Sequence, residues 1–236
     1  MRKDILELAE KHKENPDKFI AVMEKLHVPE NMKDDLFLSA GSTLYEHSYK
    51  MIASATWEHA LKYIKKENKL KILFCYMHLG EANYDLRNYN KAIEYYEKSI
   101  ELFKEQGDKA GEGTSCMILG NVYFRSGDFK KATAYYKKAL KLYDGIIDRS
   151  TESACCVNLG NAYDSLGDFK KAVVCYLKAE KIFAEIGQTD HLKKLYENMA
   201  NTYKKMNNSE KAEEYKRKAE KNFNLNFNLK NKNLKI

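Results

Sequence analysis

Side-chain amides are the groups of this chain best suited to holding a partner. Asn158 and Asn161 stand three residues apart, Asn198 and Asn201 repeat the pair 40 residues later, and Asn121 lies 40 residues before Asn161. An amide carries both a donor and an acceptor, the complement of the N–H and C=O that each residue of an extended peptide presents. A ladder of amides can therefore hold a main chain while neighbouring positions read its side chains. Followed at i, i+4, i+7 and i+11, the stripe is Phe74, His78, Glu81, Asp85; then Thr114, Ile118, Asn121, Arg125; then Ala154, Asn158, Asn161, Ser165; then Lys194, Asn198, Asn201, Lys205. The set expected to bind is Asn121, Arg125, Asn158, Asn161, Lys194, Asn198, Asn201 and Lys205. His78, Glu81 and Ile118 interrupt the ladder in its first half. The charge runs from acidic at Glu81 and Asp85 to basic at Arg125, Lys194 and Lys205. Charge complementarity sets orientation and rate more than affinity. The expected ligand thus lays an acidic or carboxylate end near Lys194 and Lys205, and any basic part near Glu81 and Asp85. Two plainer readings stay open: asparagines that only bond neighbouring helices, and lysines on a solvated face.

Other reactive residue types form no constellation. His12, His27, His47, His59, His78 and His191 show no metal-ligand spacing. Gly111 and Gly113 follow no strand and lack the rest of a phosphate loop, so close helix contact is the expected role. The five cysteines are an odd number without Cys-x-x-Cys spacing, and Cys116 and Cys156 share one repeat position. Reduced core thiols are expected. Neither catalysis, nor a metal, nor a cofactor is expected.

The elements that must position the amides follow from a repeat. Leu119-Gly120-Asn121-Val122-Tyr123 with Gly127-Asp128-Phe129-Lys130-Lys131-Ala132 returns 40 residues later as Leu159-Gly160-Asn161-Ala162-Tyr163 with Gly167-Asp168-Phe169-Lys170-Lys171-Ala172. Looser copies lie at Leu79-Gly80 with Ala92 and at Met199-Ala200 with Ala212. Each unit shows helical spacing twice: Cys156, Leu159, Gly160 and Tyr163 on one face, then Phe169, Ala172, Tyr176 and Ala179. Gly167 supplies the turn and Asp168 the cap of the second helix. Small residues at Gly160, Ala172 and Ala179 are expected to let the helices approach closely. Helix pairs are predicted at about 69–106, 108–147, 149–187 and 190–222. A degenerate pair is expected within 31–67, its helices at 34–53 and 57–66, with Trp57, Ala60, Tyr63 and Ile64 on the second and Ala60 in the role of Ala92. Residues 1–30 are read as a helical cap with Ile5, Leu6, Phe19, Ile20, Val22, Met23 and Leu26 as its apolar set. The only prolines are Pro16 and Pro29, and the body reads as all-α.

The Leu-Gly pairs, Tyr123 and Tyr163, and Ala132, Tyr136 and Ala139 resemble the tetratricopeptide repeat, whose ordinary unit is about 34 residues. The longer unit, with Gly107-Asp108-Lys109-Ala110-Gly111-Glu112-Gly113 leading into Leu119-Gly120-Asn121, is similar to the LGN/Pins subclass. The resemblance is strong over 69–222 and weak over 34–67. It implies a right-handed α-α superhelix of antiparallel helix pairs, in which the first helix of each pair lines a concave surface. It also implies peptide binding of the kind the asparagine stripe suggests. The segment after the repeats is too short for the linker and G-protein-binding motifs of full LGN/Pins proteins, so their roles are not expected to transfer.

The net charge is +7, and residues 190–236 hold twelve Lys and Arg against six Asp and Glu, a net +6. The neutral body favours a local acidic contact over a nucleic-acid track. No run of 18 apolar residues exists, and the start lacks the apolar core of a signal peptide. No nucleic acid and no membrane are expected, and a cytoplasmic location is. In residues 222–229 Phe223, Leu225, Phe227 and Leu229 alternate with asparagine, which suggests an extended tail (223–236) that docks in a groove or self-associates through 223–229. The first functional reading is a non-enzymatic scaffold or adaptor holding an extended peptide. The alternatives are a self-associating structural repeat protein and the sensor part of a peptide-responsive regulator.

Overall fold

The computed structural model describes residues 2–144 and 149–233, with backbone only for 189 and 222–233. Twelve α-helices occur among them, and no strand. They run α1 Arg2–Lys11, α2 Pro16–Glu24, α3 Lys33–Glu46, α4 Lys50–Ala60, α5 Lys69–Asp85, α6 Tyr89–Gln106, α7 Lys109–Ser126, α8 Phe129–Leu142, α9 Arg149–Ser165, α10 Phe169–Glu185, α11 Leu192–Lys205 and α12 Ser209–Asn233. The chain divides into two compact units, residues 1–108 and 109–236.

Each pair closes through a turn whose decisive residue has left-handed backbone: Ser48, Arg87, Gly127, Gly167 and Asn207, with φ of 68°, 61°, 88°, 78° and 56°. The recurrence of that residue every 39 or 40 positions shows five copies of one motif. Asp128 and Asp168 cap the following helices, each accepting from the N–H three residues on (Lys131 at 3.0 Å, Lys171 at 3.2 Å). Asn208 does the same for α12 with Lys211 at 3.0 Å. These side chains satisfy donors that the first helical turn leaves without partners.

In unit 1, α1 packs on α3 and α2 on α4. Phe19, Met23, Phe37, Leu44 and Trp57 are fully or almost fully buried there. Phe19 and Met23, four residues apart, take the inward face of α2, so Val22 and Leu26 are exposed instead of joining the expected apolar set. The first repeat breaks at 47–49, between Glu46 and Lys50, and not at 53–57. Ala53, not Ala60, therefore takes the role of Ala92: Ala53 and Trp57 stand like Ala92 and Tyr96. The aromatic of the second helix lies over the glycine of the first. A Cβ on Gly41 would meet Trp57 at 2.5 Å, and one on Gly80 would meet Tyr96 at 2.7 Å.

Unit 2 repeats this packing, with Tyr136 over Gly120 and Tyr176 over Gly160. A Cβ on Gly120 would stand 2.6 Å from the Tyr136 ring. The small residue thus makes room for a ring, a more specific purpose than close backbone approach. Two ion pairs also recur at the repeat period: Lys138 to Glu112 at 2.9 Å and Lys178 to Glu152 at 2.8 Å. Burial alone would raise the Glu152 carboxyl, but Lys178 and Arg149 outweigh it and hold it below the usual range. Residues 222–229 continue α12 as helix where an extended segment was expected. With neither Gly nor Pro after Ser209, propagating a formed helix outweighs the period-two pattern.

Candidate functional site

The asparagines of unit 2 come together as a bonded series. The Tyr136 hydroxyl donates to Asn121 Oδ1 at 2.8 Å, and Asn158 Nδ2, from the next repeat, donates to the same oxygen at 3.0 Å. One period on, the Tyr176 hydroxyl donates to Asn161 Oδ1 at 2.8 Å, and Asn198 Nδ2 donates to the same oxygen at 3.0 Å. Both lone pairs of each acceptor are occupied, so Asn121 and Asn161 are fixed in rotamer and in amide orientation. The stripe is therefore not separate from the packing set, as its spacing suggested. Each of these two amides fastens a buried tyrosine and the following repeat.

What the network leaves unused is regular. Among the described residues, the Nδ2 groups of Asn121 and Asn161 and the Oδ1 atoms of Asn158 and Asn198 make no hydrogen bond. The four side chains are half-buried. The face thus offers donors from one member of each bonded pair and an acceptor from the other. Beside Asn158, a recess of about 200 Å³ is lined by Ser150, Ala154, Val157, His191 and Lys194.

The basic members of the stripe differ in availability. Arg125 is exposed and makes no side-chain hydrogen bond or ion pair among the described residues. Lys194 is exposed and 3.5 Å from Glu197 on its own helix. Lys205 is instead paired with Asp164 of the preceding repeat, and Thr202 donates to that carboxylate at 2.8 Å. Lys205 therefore ties α11 to α9. The Asn201 side chain is exposed and makes no hydrogen bond among the described residues. It borders a recess of about 640 Å³ lined by Lys193, Lys194, Glu197, Ala200, Lys216, Ala219 and Glu220.

In unit 1 the corresponding stripe is aromatic and acidic. His78 stacks on Trp57 with ring centroids 5.1 Å apart, and Phe74 lies 4.2 Å from His78. Asp85 accepts from Tyr45 at 2.9 Å and pairs with Lys50 at 2.6 Å. Burial would raise its carboxyl, and these two partners more than offset that, holding it below the usual range. Sequence reasoning missed the apolar recess beside this stripe. It measures about 770 Å³ and is lined among others by Val28, Met32, Leu36, Leu38, Leu70 and Phe74. Leu70 and Met32 are exposed by 74% and 54%, an unusual outlay of apolar surface. The signal was present in Leu70 and Phe74, four residues apart on α5.

The thiols are free, and Cys75, Cys116, Cys155 and Cys156 are buried. Burial pushes the Cys116 and Cys175 thiols up to about 11 and those of Cys75 and Cys156 up to about 12. That is the opposite of the shift that activates a nucleophilic cysteine. Gly113 gives its space to the Tyr143 ring, which a Cβ there would meet at 2.8 Å. Among the described residues no helix is long and apolar enough to cross a membrane.

Comparison with curated proteins finds no match. Solved structures show the same fold at low identity. The crystal structure of BtubC (BKLC) from P. vanneervenii aligns with a TM-score of 0.71 and 19% identity, over 92% of this chain and 91% of that one. The apo form of RapI aligns with a TM-score of 0.77 and 16% identity, over 88% of this chain and 58% of that one. A signal-transduction ATPase with a tetratricopeptide repeat sensor, from Pyrococcus horikoshii, aligns at 0.70 and 21%, over 85% of this chain and 32% of that one. These likenesses concern architecture: an all-α superhelix of antiparallel helix pairs. The sequence profile of the tetratricopeptide repeat matches residues 72–145 and 152–224. The glycine–aromatic packing, the recurrent left-handed turns and this match agree, and the chain belongs to the tetratricopeptide repeat family.

Proposed function

We propose that the asparagine face of unit 2 holds an extended peptide segment of a partner protein, and that the chain acts as a non-enzymatic scaffold or adaptor. The observation that carries this reading is the unused half of the amide network: donors on Asn121 and Asn161, acceptors on Asn158 and Asn198, each fixed by a bond already made. Groups fixed before binding lose little conformational freedom when they bind, which favours affinity. Arg125 and Lys194 stand on the same stripe and favour acidic side chains. Lys205 contributes to cohesion between repeats and leaves the expected binding set. Self-association through 223–229 rests on side chains outside the described residues.

The test is a pull-down from the native extract with the wild type and the Asn158→Ala/Asn198→Ala double variant. These two asparagines only donate to the network, so their loss leaves the tyrosine hydroxyls bonded. The expected result is loss of the captured partner with unchanged helicity. Equal capture by the two proteins would sink the assignment.

A further inference from the structure

The fifth repeat lacks the ring that the two repeats before it place over their first helix. Tyr136 and Tyr176 are each 1% exposed, lie over Gly120 and Gly160, and donate to Asn121 and Asn161. Forty residues on, the three positions are Lys216, Ala200 and Asn201. Lys216 is exposed, Ala200 is half-exposed where both glycines are buried, and the Asn201 amide makes no hydrogen bond among the described residues. The 640 Å³ recess stands at this place, with Ala200 and Asn201 on one wall and Lys216, Ala219 and Glu220 on the other.

From this internal comparison we infer that the recess receives a tyrosine side chain carried on an acidic segment of a partner protein. The preceding repeats show what the walls accommodate: an aromatic ring against a small residue, with its hydroxyl donating to the asparagine that follows. An incoming ring rides on the Ala200 methyl, because that Cβ fills the depth that Gly120 leaves to Tyr136. It does not need that depth, since it is not tethered to α12. Asn201 Oδ1 accepts its hydroxyl. The lysines at the rim, Lys193, Lys194 and Lys216, outnumber Glu197 and Glu220, and residues 190–236 carry a net +6. The flanking residues of the partner are therefore acidic. A benzene ring without the hydroxyl leaves Asn201 with water as its only partner, so phenylalanine binds less well than tyrosine.

This inference rests on the reading of unit 2 as a peptide-binding face, and its test separates the two. The probe is a synthetic ten-residue peptide of aspartate and glutamate with one central tyrosine, compared with alanine and phenylalanine versions, titrated calorimetrically into the full chain. The tyrosine peptide should bind about tenfold more tightly than the alanine peptide. The Ala200→Gly/Lys216→Tyr variant rebuilds the repeat's own ring; it should melt at a higher temperature and lose that tenfold preference. Asn201→Ala should erase the preference for tyrosine over phenylalanine without altering the fold, and it serves if the double variant fails to melt higher. Equal binding of the tyrosine and alanine peptides overturns the inference, as does full retention of the preference in a stabilised double variant. Capture of the native partner by Asn158→Ala/Asn198→Ala equal to that by the wild type, with the tyrosine preference intact, sinks the amide face and leaves the recess standing; loss of that capture with equal binding of the tyrosine and alanine peptides sinks the recess alone.

Discussion

Tyr176 and Asn161, on facing helices of one pair, share a 2.8 Å hydrogen bond, and the same oxygen accepts from Asn198 of the next pair. The amide that would meet a ligand is thus also a structural acceptor. Asn161→Ala leaves a buried tyrosine hydroxyl without its acceptor and should destabilise the protein by about 1–3 kcal/mol. Adding Tyr176→Phe should recover part of that loss, because both partners are then gone. A thermal-melt double-mutant cycle measures this. A cycle with no coupling between the two sites would contradict the bond.

Gly120→Ala sets a methyl group against the Tyr136 ring, where a Cβ would stand 2.6 Å away. The ring must shift, and a loss of about 1–3 kcal/mol is expected for such overpacking. Gly107, with φ of 71° and open space around its Cβ position, is a different case. Alanine there is strained by backbone conformation alone, at about 1–2 kcal/mol. Denaturant midpoints of the two variants, each with and without Tyr136→Leu, distinguish the causes. Only the first should be relieved.

Arg87 holds the left-handed turn position that Gly127 and Gly167 occupy in later repeats. Arg87→Gly should stabilise unit 1 by roughly 0.5–1 kcal/mol, the conformational strain relieved less the entropy glycine adds to the unfolded chain. The readout is the urea midpoint. An unchanged or lower midpoint would show that the arginine side chain contributes more than its backbone costs.

Glu24 links α2 to α4: His59 and Tyr63 bond one carboxylate oxygen, and Lys33 reaches the other at 2.9 Å. Burial would raise its carboxyl, but these three partners lower it to about 2 from an ordinary 4.5. A group depressed in the folded state contributes its full stability above the unfolded value and loses it as pH falls through the folded one. Stability of unit 1 should therefore decline between about pH 5 and pH 2. Glu24→Gln should flatten that part of the profile and lower the plateau above it. The check is urea unfolding across the range, and a parallel decline in both proteins would exclude this carboxylate as the cause.

The four strong pairs were legible because their packing residues recur almost unchanged, as Leu119 and Leu159 or Asp128 and Asp168 do. The phase of the first pair is hidden in the sequence because Trp57 stands where the next three pairs have tyrosine, and because Gly41 follows Ala40 where their glycines follow leucine. Size at the crossing is conserved there while residue type is not. The asparagine stripe could be read from spacing, since i, i+4 and i+7 share a helix face. Its bonds could not, because they join residues 15 and 37 positions apart whose meeting depends on the three-dimensional stacking of helices. The recess over Ala200 was hidden for a related reason. Lys216 is unremarkable in a basic segment until the buried tyrosines of the other copies show what it replaces.

The occupied lone pairs of Asn121 and Asn161 have one more consequence. An amide free to flip by 180° presents donor and acceptor interchangeably and accepts a peptide running either way. These two cannot flip without breaking two bonds each, so the order of donors and acceptors along the face is set before any ligand arrives. A segment read by them must run with one polarity, amino end to carboxyl end, and the same residues joined in reverse order would meet every rung out of phase.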